Sequence, residues 1–303
     1  MEPRRSTVVG VIGLGDIGSG VARAVGGAGF ELVVCDVRPE ATASLPEAEI
    51  APGPRELGAR SDVVAVAVVT DAQTLAVLDP DTGALSTARP GSAVVVLSTV
   101  GPDTVQSVGE MARLRGVDVV DCGVSGGPMA AAEGSLVAMV GGEPDVVERV
   151  RPVLDSFSSL VVHMGPLGAG IKAKLARNLV QYGSWLAAYE AQVLAEASGI
   201  ELAKLAEVIR ASDEKIGGAS RLMFRHTAAP FRPDDHPGLV GAMRSAAELA
   251  HKDLRAALQL ADHLGVSLPL AAMTDARADA LFGLRADVAA ADQRGPHELG
   301  ATT

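Results

Sequence analysis

The chain has 303 residues, 48% of them hydrophobic, and a formal net charge of −11. That is enough apolar material for one large or two ordinary buried cores, and it argues against a disordered chain. The acidic balance speaks against nucleic acid or a membrane surface as partner, since both want a basic patch, and no apolar run approaches the ~20 residues of a membrane span.

The amino end, MEPRRST, runs directly into a strand-like stretch, so no signal peptide is expected. Short valine-rich runs then predict strands at 7–13, 31–36, 62–69, 93–98, 117–122, 136–141 and 160–165, with helix-length connections such as 16–28 and 102–115. Strands that are almost continuously apolar belong in a parallel sheet covered on both faces. Alternation of β and α units predicts a doubly wound, Rossmann-type α/β domain. Cys35 and Cys122 lie far apart at the ends of apolar runs, which reads as two buried free thiols and not as a disulfide or a metal pair. No metal is expected, and the cytoplasm is the expected location.

After Gly165 the texture changes. Between Gly170 and Ser198 there is no proline and one further glycine, Gly183, so one long helix is expected over about 168–198 with Gly199 as its stop. Further helices are expected at about 201–211, 239–264 and 268–285, a loop at 228–238, and a frayed tail after Asp292. The predicted division is therefore an α/β domain over 1–165 and an all-α domain over 166–303, joined through the long helix.

The first motif is GLGDIG, Gly13-Leu14-Gly15-Asp16-Ile17-Gly18. It follows a strand, opens a helix, and is answered by a second strand ending in Asp36, close to the spacing of the dinucleotide fingerprint. Gly13 permits the tight turn, Gly15 lets backbone approach a pyrophosphate, and Gly18 allows close helix–strand packing. Exposed N–H groups at the helix start stabilise phosphate charge. Asp36 can accept the ribose hydroxyls of NAD and repels the extra phosphate of NADP, whereas Arg38, beyond Val37, softens that repulsion or stacks on adenine. NAD is the expected cofactor, with NADP as the alternative.

The second motif is DCGVSGGPMAAAEGSLVAMVGG, residues 121–142. Its Ser125-Gly126-Gly127 run lies just past a sheet strand, where ligands bind open α/β sheets. Consecutive glycine N–H groups and the serine hydroxyl suit a carboxylate; an ordinary strand-to-helix turn accounts for the same residues equally well. The third motif is GPLGAGIKAKLARN, residues 165–178. On a helix Lys174, Asn178, Tyr182 and Trp185 share a stripe, and Lys172 points to a different side. A lone helical lysine is usually solvated; the amide, phenol and indole in its company point to an acid/base lysine whose pKa burial or a neighbouring cation lowers.

These three stretches, with AHKDLRAALQLADHLGVSLPLA at 250–271, resemble the β-hydroxyacid dehydrogenase family, which includes 3-hydroxyisobutyrate dehydrogenase and tartronate semialdehyde reductase. The resemblance spans roughly residues 7 to 285. It implies an NAD-dependent oxidoreductase that transfers hydride between nicotinamide and the hydroxyl carbon of a small 3-hydroxy acid. It implies Lys174 as the catalytic lysine with Asn178 as partner, and Ser125, Gly126 and Gly127 as the substrate-carboxylate turn. Thr99 would lie beside the nicotinamide ribose and Lys252 would reach the cofactor from the helical domain. A homodimer or homotetramer is implied as well. The chain departs from the family pattern at Arg177, where asparagine is usual, at Thr70, where proline is usual, and in the bulk of Tyr182 and Trp185. The segment from Phe231 to His251, carrying Arg232, His236 and Arg244, reads as longer than usual: a surface loop with solvated charges, or a pocket that reads a second polar group. The rival readings are an NADPH-dependent imine reductase, which Asp36 and the pairing of Lys174 with Asn178 disfavour, and a non-catalytic cofactor-binding scaffold, which Lys174 disfavours.

Overall fold

The computed structural model describes residues 7–219 and 229–285. The tail beyond Asp292, and Ala228 at the start of the predicted loop, lie outside the described residues. The chain divides into two compact units, 1–178 and 179–303.

In the first unit the elements run β1 (Val8–Ile12), α1 (Asp16–Gly27), β2 (Glu31–Cys35), α2 (Pro39–Ala43), β3 (Glu49–Ile50), α3 (Pro54–Arg60), β4 (Val63–Val66), α4 (Asp71–Val77), β5 (Ala93–Val96) and α5 (Pro102–Arg113). They continue with β6 (Asp118–Ser125), α6 (Gly127–Ala132), β7 (Leu136–Gly141), α7 (Pro144–Phe157) and β8 (Ser158–Gly165), and then α8 (Ala169–Ala197), which crosses from the first unit into the second. The second unit adds α9 (Leu202–Ile216), α10 (Pro237–Leu264) and α11 (Pro269–Leu281).

One eight-stranded sheet has the order β3-β2-β1-β4-β5-β6-β7-β8. Its order reverses between β1 and β4, and that switch point is where open α/β sheets bind ligands. The valine-rich strands are buried on both faces, as their composition predicts. Val9, Val11, Val34, Val95 and Val120 face one apolar cluster, and Val8, Ile12, Val64, Val94 and Val96 face the other. Each such side chain contributes roughly 1.5–3 kcal/mol on burial. Cys35 and Cys122 are buried free thiols within these two clusters.

The sheet departs from the all-parallel expectation at one place: β6 and β7 pair antiparallel, with Cys122 opposite Val140 and Val124 opposite Ala138. The reason is the short link between them. A parallel return needs a crossover of a dozen residues or more, and only residues 126–135, containing the one short helix α6, separate Ser125 from Leu136. β7 and β8, joined by the fourteen-residue α7, pair parallel again.

Helix α8 is 29 residues long, and Gly199 after it adopts a left-handed φ of 71°, the conformation that ends helices at glycine. In the second unit, Glu190 of α8 is 6% exposed. Its two oxygens accept the N–H groups of Leu270 at 2.7 Å and Ala271 at 3.0 Å, capping α11. The predicted loop ends earlier than its composition suggests, because His236 accepts from Gly238 N–H and Pro237 takes the first position of α10. No helix among the described residues is long and apolar enough to cross a membrane.

Candidate active site

Three stretches of the first unit converge on the carboxyl edge of the sheet. β1, β4 and β5 end in register, Ile12 beside Val66 and Val66 beside Val96, so the chain leaves all three strands at one edge. Gly13 follows β1 with a φ of 89°, a conformation that glycine adopts without strain. A Cβ at Gly18 would overlap the Gly13 carbonyl oxygen, so α1 can approach the turn this closely only at a glycine. At Gly15 a Cβ would meet nothing within 4 Å; that exposed residue is the N-cap of α1 and offers no side-chain acceptor to the first N–H groups of the helix. The result is an anion-accepting helix start with open space before it. Leu14 is buried behind the turn and Asp16 is exposed in front of it.

Asp36 stands just beyond β2. One carboxylate oxygen accepts Leu14 N–H at 2.6 Å, and the other accepts the backbone N–H of Arg38 at 2.8 Å and its Nε at 3.1 Å. Arg38 also reaches the Leu14 carbonyl at 3.4 Å, folding its guanidinium over the glycine turn. Burial opposes ionisation of Asp36, but the hydrogen bonds from the Arg38 side chain and from the Leu14 and Arg38 backbones outweigh it and hold the carboxyl below its usual range. Val37, between them, is fully exposed. Thr99 lies exposed three residues past the end of β5, at the same edge.

The second stretch is β6. Alternate residues of a strand share a face, so Asp121, Gly123 and Ser125 lie in line, with Ser125 at the carboxyl edge. Gly126 and Gly127 follow with φ of 122° and 71° and open the turn into α6. This helix is tied to the cofactor-type turn through α1: a Cβ on Gly20 would stand 2.6 Å from the backbone of Ala131.

The third stretch is the start of α8. Lys174 is half-buried and Lys172 is exposed, so the two lysines do part company as helical spacing requires. The Lys174 stem lies on β6: a Cβ at Gly123 would fall 2.5 Å from Lys174 Cβ. Burial, followed by the charge of Arg177, pushes the Lys174 ammonium below its ordinary pKa. Asn178, one helical turn on, is half-buried and accepts from Arg177 at 3.4 Å.

The structure thus joins Asp36 and Arg38 to the glycine turn and seats Lys174 on the strand that ends in Ser125; these residues, Thr99, the 125–127 turn and Asn178 all belong to the first unit. Tyr182 and Lys252 belong to the second unit. Tyr182 is 59% exposed with its ring edge-on to Trp185 at 5.4 Å between centroids, and Lys252 pairs with Asp253 at 3.3 Å. Thr70 does not break the fold where proline is usual: it forms a reciprocal capping box with Gln73 at the start of α4. Asp121 is absent from the sequence-derived set. It is fully buried and accepts Gly168 N–H and Ile171 N–H, both at 2.6 Å. Its signal was an aspartate between Val120 and Cys122 in the strand-like run VDVVDC, which carries a second aspartate, Asp118, at its start.

Fold and glycine turn define a dinucleotide-binding α/β protein. Residues 8–165 match the family model described as the NAD binding domain of 6-phosphogluconate dehydrogenase, and residues 168–293 match that described as NAD-binding of NADP-dependent 3-hydroxyisobutyrate dehydrogenase. An uncharacterized oxidoreductase of Mycobacterium tuberculosis (strain H37Rv) is 38% identical over 278 residues, 91% of this chain and 93% of the relative. The L-threonate dehydrogenase of Cupriavidus necator is 34% identical over 267 residues, 87% of this chain and 86% of the relative. A solved oxidoreductase of Mycobacterium avium 104 superposes with a TM-score of 0.83 at 34% identity, covering 91% of this chain and 98% of that one. The chain belongs to the 3-hydroxyisobutyrate dehydrogenase family, whose members are NAD(P)-binding hydroxyacid dehydrogenases.

Proposed function

We propose that this chain is an NAD-dependent dehydrogenase of a small 3-hydroxy acid with Lys174 as its general acid and base. The observation that carries the reading is a half-buried lysine with a lowered pKa, seated on the face of the strand that ends in Ser125. NAD, when bound, supplies the hydride acceptor. Lys174 as a free amine takes the substrate hydroxyl proton, and as an ammonium it returns that proton in the reductive direction. Burial and Arg177 raise the fraction of free amine near neutral pH, where a general base has to work. Asn178 orients the hydroxyl. Ser125 and the N–H groups of Gly126 and Gly127 hold the carboxylate, which fixes the hydroxyl carbon relative to Lys174.

The cofactor residues are Gly13 to Gly18, Asp36, Val37, Arg38 and Thr99, with Tyr182 assigned to substrate and Lys252 to cofactor from the helical domain. We assign residues 1–165 to the cofactor half and 166–303 to a helical half for substrate and self-association. The negative charge of Asp36 favours NAD; Arg38, spread over the turn, allows weaker use of NADP.

The test is absorbance of reduced nicotinamide from purified protein given NAD or NADP with 3-hydroxyisobutyrate, glycerate, L-serine, L-threonate and 3-hydroxypropionate. At least one acid reduces NAD, and does so faster than NADP. Silence across the panel from protein that binds NAD contradicts the reading.

A further inference from the structure

We propose that Asp121 is a positioning residue for this reaction, one that sets where Lys174 stands over β6. The inference rests on the assignment of Lys174 as acid and base.

Asp121, Gly123 and Ser125 occupy one face of β6, and each does something different there. Asp121 grips the start of α8 through two backbone N–H groups, Gly168 and Ile171, both at 2.6 Å. Gly123 leaves the gap into which the Lys174 stem settles; a Cβ there would be 2.5 Å from Lys174 Cβ. Ser125, itself buried, ends the strand where the exposed Gly126–Gly127 turn begins. The distance between the anchor and the end of the strand is therefore set by β6 itself, and the offset of Lys174 from the anchor is set by one helical turn, Ile171 to Lys174.

Everything around the anchor leaves room for it. A Cβ on Gly141, the strand neighbour of Asp121, would overlap its carboxylate. A Cβ on Gly170 would meet the Asp121 carbonyl at 2.6 Å and Gly141 N at 2.8 Å. Gly168 has a φ of 90°, which turns its N–H towards the carboxylate as the chain enters the helix. A fully buried carboxylate is costly unless it is paired or hydrogen-bonded. Here the helix start, with its N–H groups and positive dipole end, offsets that cost. A neutral apolar contact could also pack the helix, but it could not fix its rotation and axial position with two directional bonds. Such fixing decides a proton transfer, because an error of about 1 Å at the reacting groups costs on the order of a hundredfold in rate.

Asp121→Asn keeps the shape and removes one acceptor, so its NH2 faces a backbone N–H and the helix start is displaced. The test reads Lys174 in two ways. Competitive labelling with isotopic acetic anhydride across pH, resolved by mass spectrometry with Lys172 as internal reference, gives the midpoint at which the Lys174 amine becomes reactive. Steady-state kinetics with the fastest acid of the panel gives kcat, KM and their pH profile. The expected result is a Lys174 midpoint moved up by at least about half a pH unit as the stem loses its burial. With it comes a fall in kcat of at least about tenfold and unchanged NAD affinity. Asp121→Ser, smaller and with no NH2 to oppose the backbone, is measured in parallel and shows the same signature should the amide variant not fold. A lower melting temperature with an unmoved Lys174 midpoint and unchanged kcat would overturn the proposal and leave Asp121 as a helix cap alone. Lys174→Ala, assayed beside them, separates the two readings. If it retained turnover the acid/base assignment would fail, while the labelling midpoint would still report whether Asp121 sets the surroundings of Lys174.

Discussion

Lys174 is the residue on which the proposed chemistry turns, and Arg177, one helical turn along α8, is the charge that acts on it. Because a positive neighbour disfavours the ammonium, Arg177 lowers the Lys174 pKa after burial has already done so. Oxidation of a hydroxyl needs the free amine, so its rate climbs as pH rises through the Lys174 pKa. Removing the cation raises that pKa. The ascending limb of kcat/KM against pH therefore moves to higher pH in Arg177→Gln, most visibly at low ionic strength where the exposed guanidinium is least screened. A limb that stays put or moves down would contradict the role given to Arg177. The sequence places Lys174 and Asn178 on one face and Lys172 on another because helical spacing alone decides it. It shows less of Asp36, which reads as an acceptor awaiting ribose hydroxyls; in the structure Leu14 and Arg38 already hold both its oxygens. Nor does helical or strand period reveal Asp121, since its partners, Gly168 and Ile171, lie 47 and 50 residues away.

Among the elements, α8 was the most legible: glycine-poor, proline-free and stopped at Gly199, it begins and ends within a residue or two of where its composition places it. The direction of β7 was not legible from apolar periodicity, which has no sign; only the shortness of the link after Ser125 carries that information. The same limit hides Glu190, one of two glutamates in an alanine-rich helix, whose partners Leu270 and Ala271 lie 80 and 81 residues away. Replacing it tests how α11 is held. Glu190→Ala strips two N–H groups of a buried acceptor and costs about 1–3 kcal/mol, read as a lower urea midpoint with NAD affinity unchanged. An unmoved midpoint would mean that α11 is capped by other means.

The whole molecule combines an α/β unit with a buried sheet and a helical unit that leaves large apolar side chains in the open. Trp185 and Tyr189 of α8 are 59% and 62% exposed. Singly these would need no comment, but exposed aromatic side chains gathered on one helix fit the self-association proposed for the helical half. Self-association, which the family resemblance implies as a homodimer or homotetramer, predicts a sedimentation mass at least twice the 30.8 kDa of one chain. It also predicts a shift towards the monomer in Trp185→Asp. A wild-type monomer at micromolar concentration would rule it out.

The central claim is that Lys174 moves the proton in the reaction of a 3-hydroxy acid with NAD. It is tested most directly by the rate of NAD reduction, with the fastest acid of the panel, for wild type and Lys174→Ala at equal occupancy by NAD. A loss in kcat of at least about a hundredfold with NAD affinity unchanged is the predicted result. Near wild-type turnover by the alanine variant would contradict it.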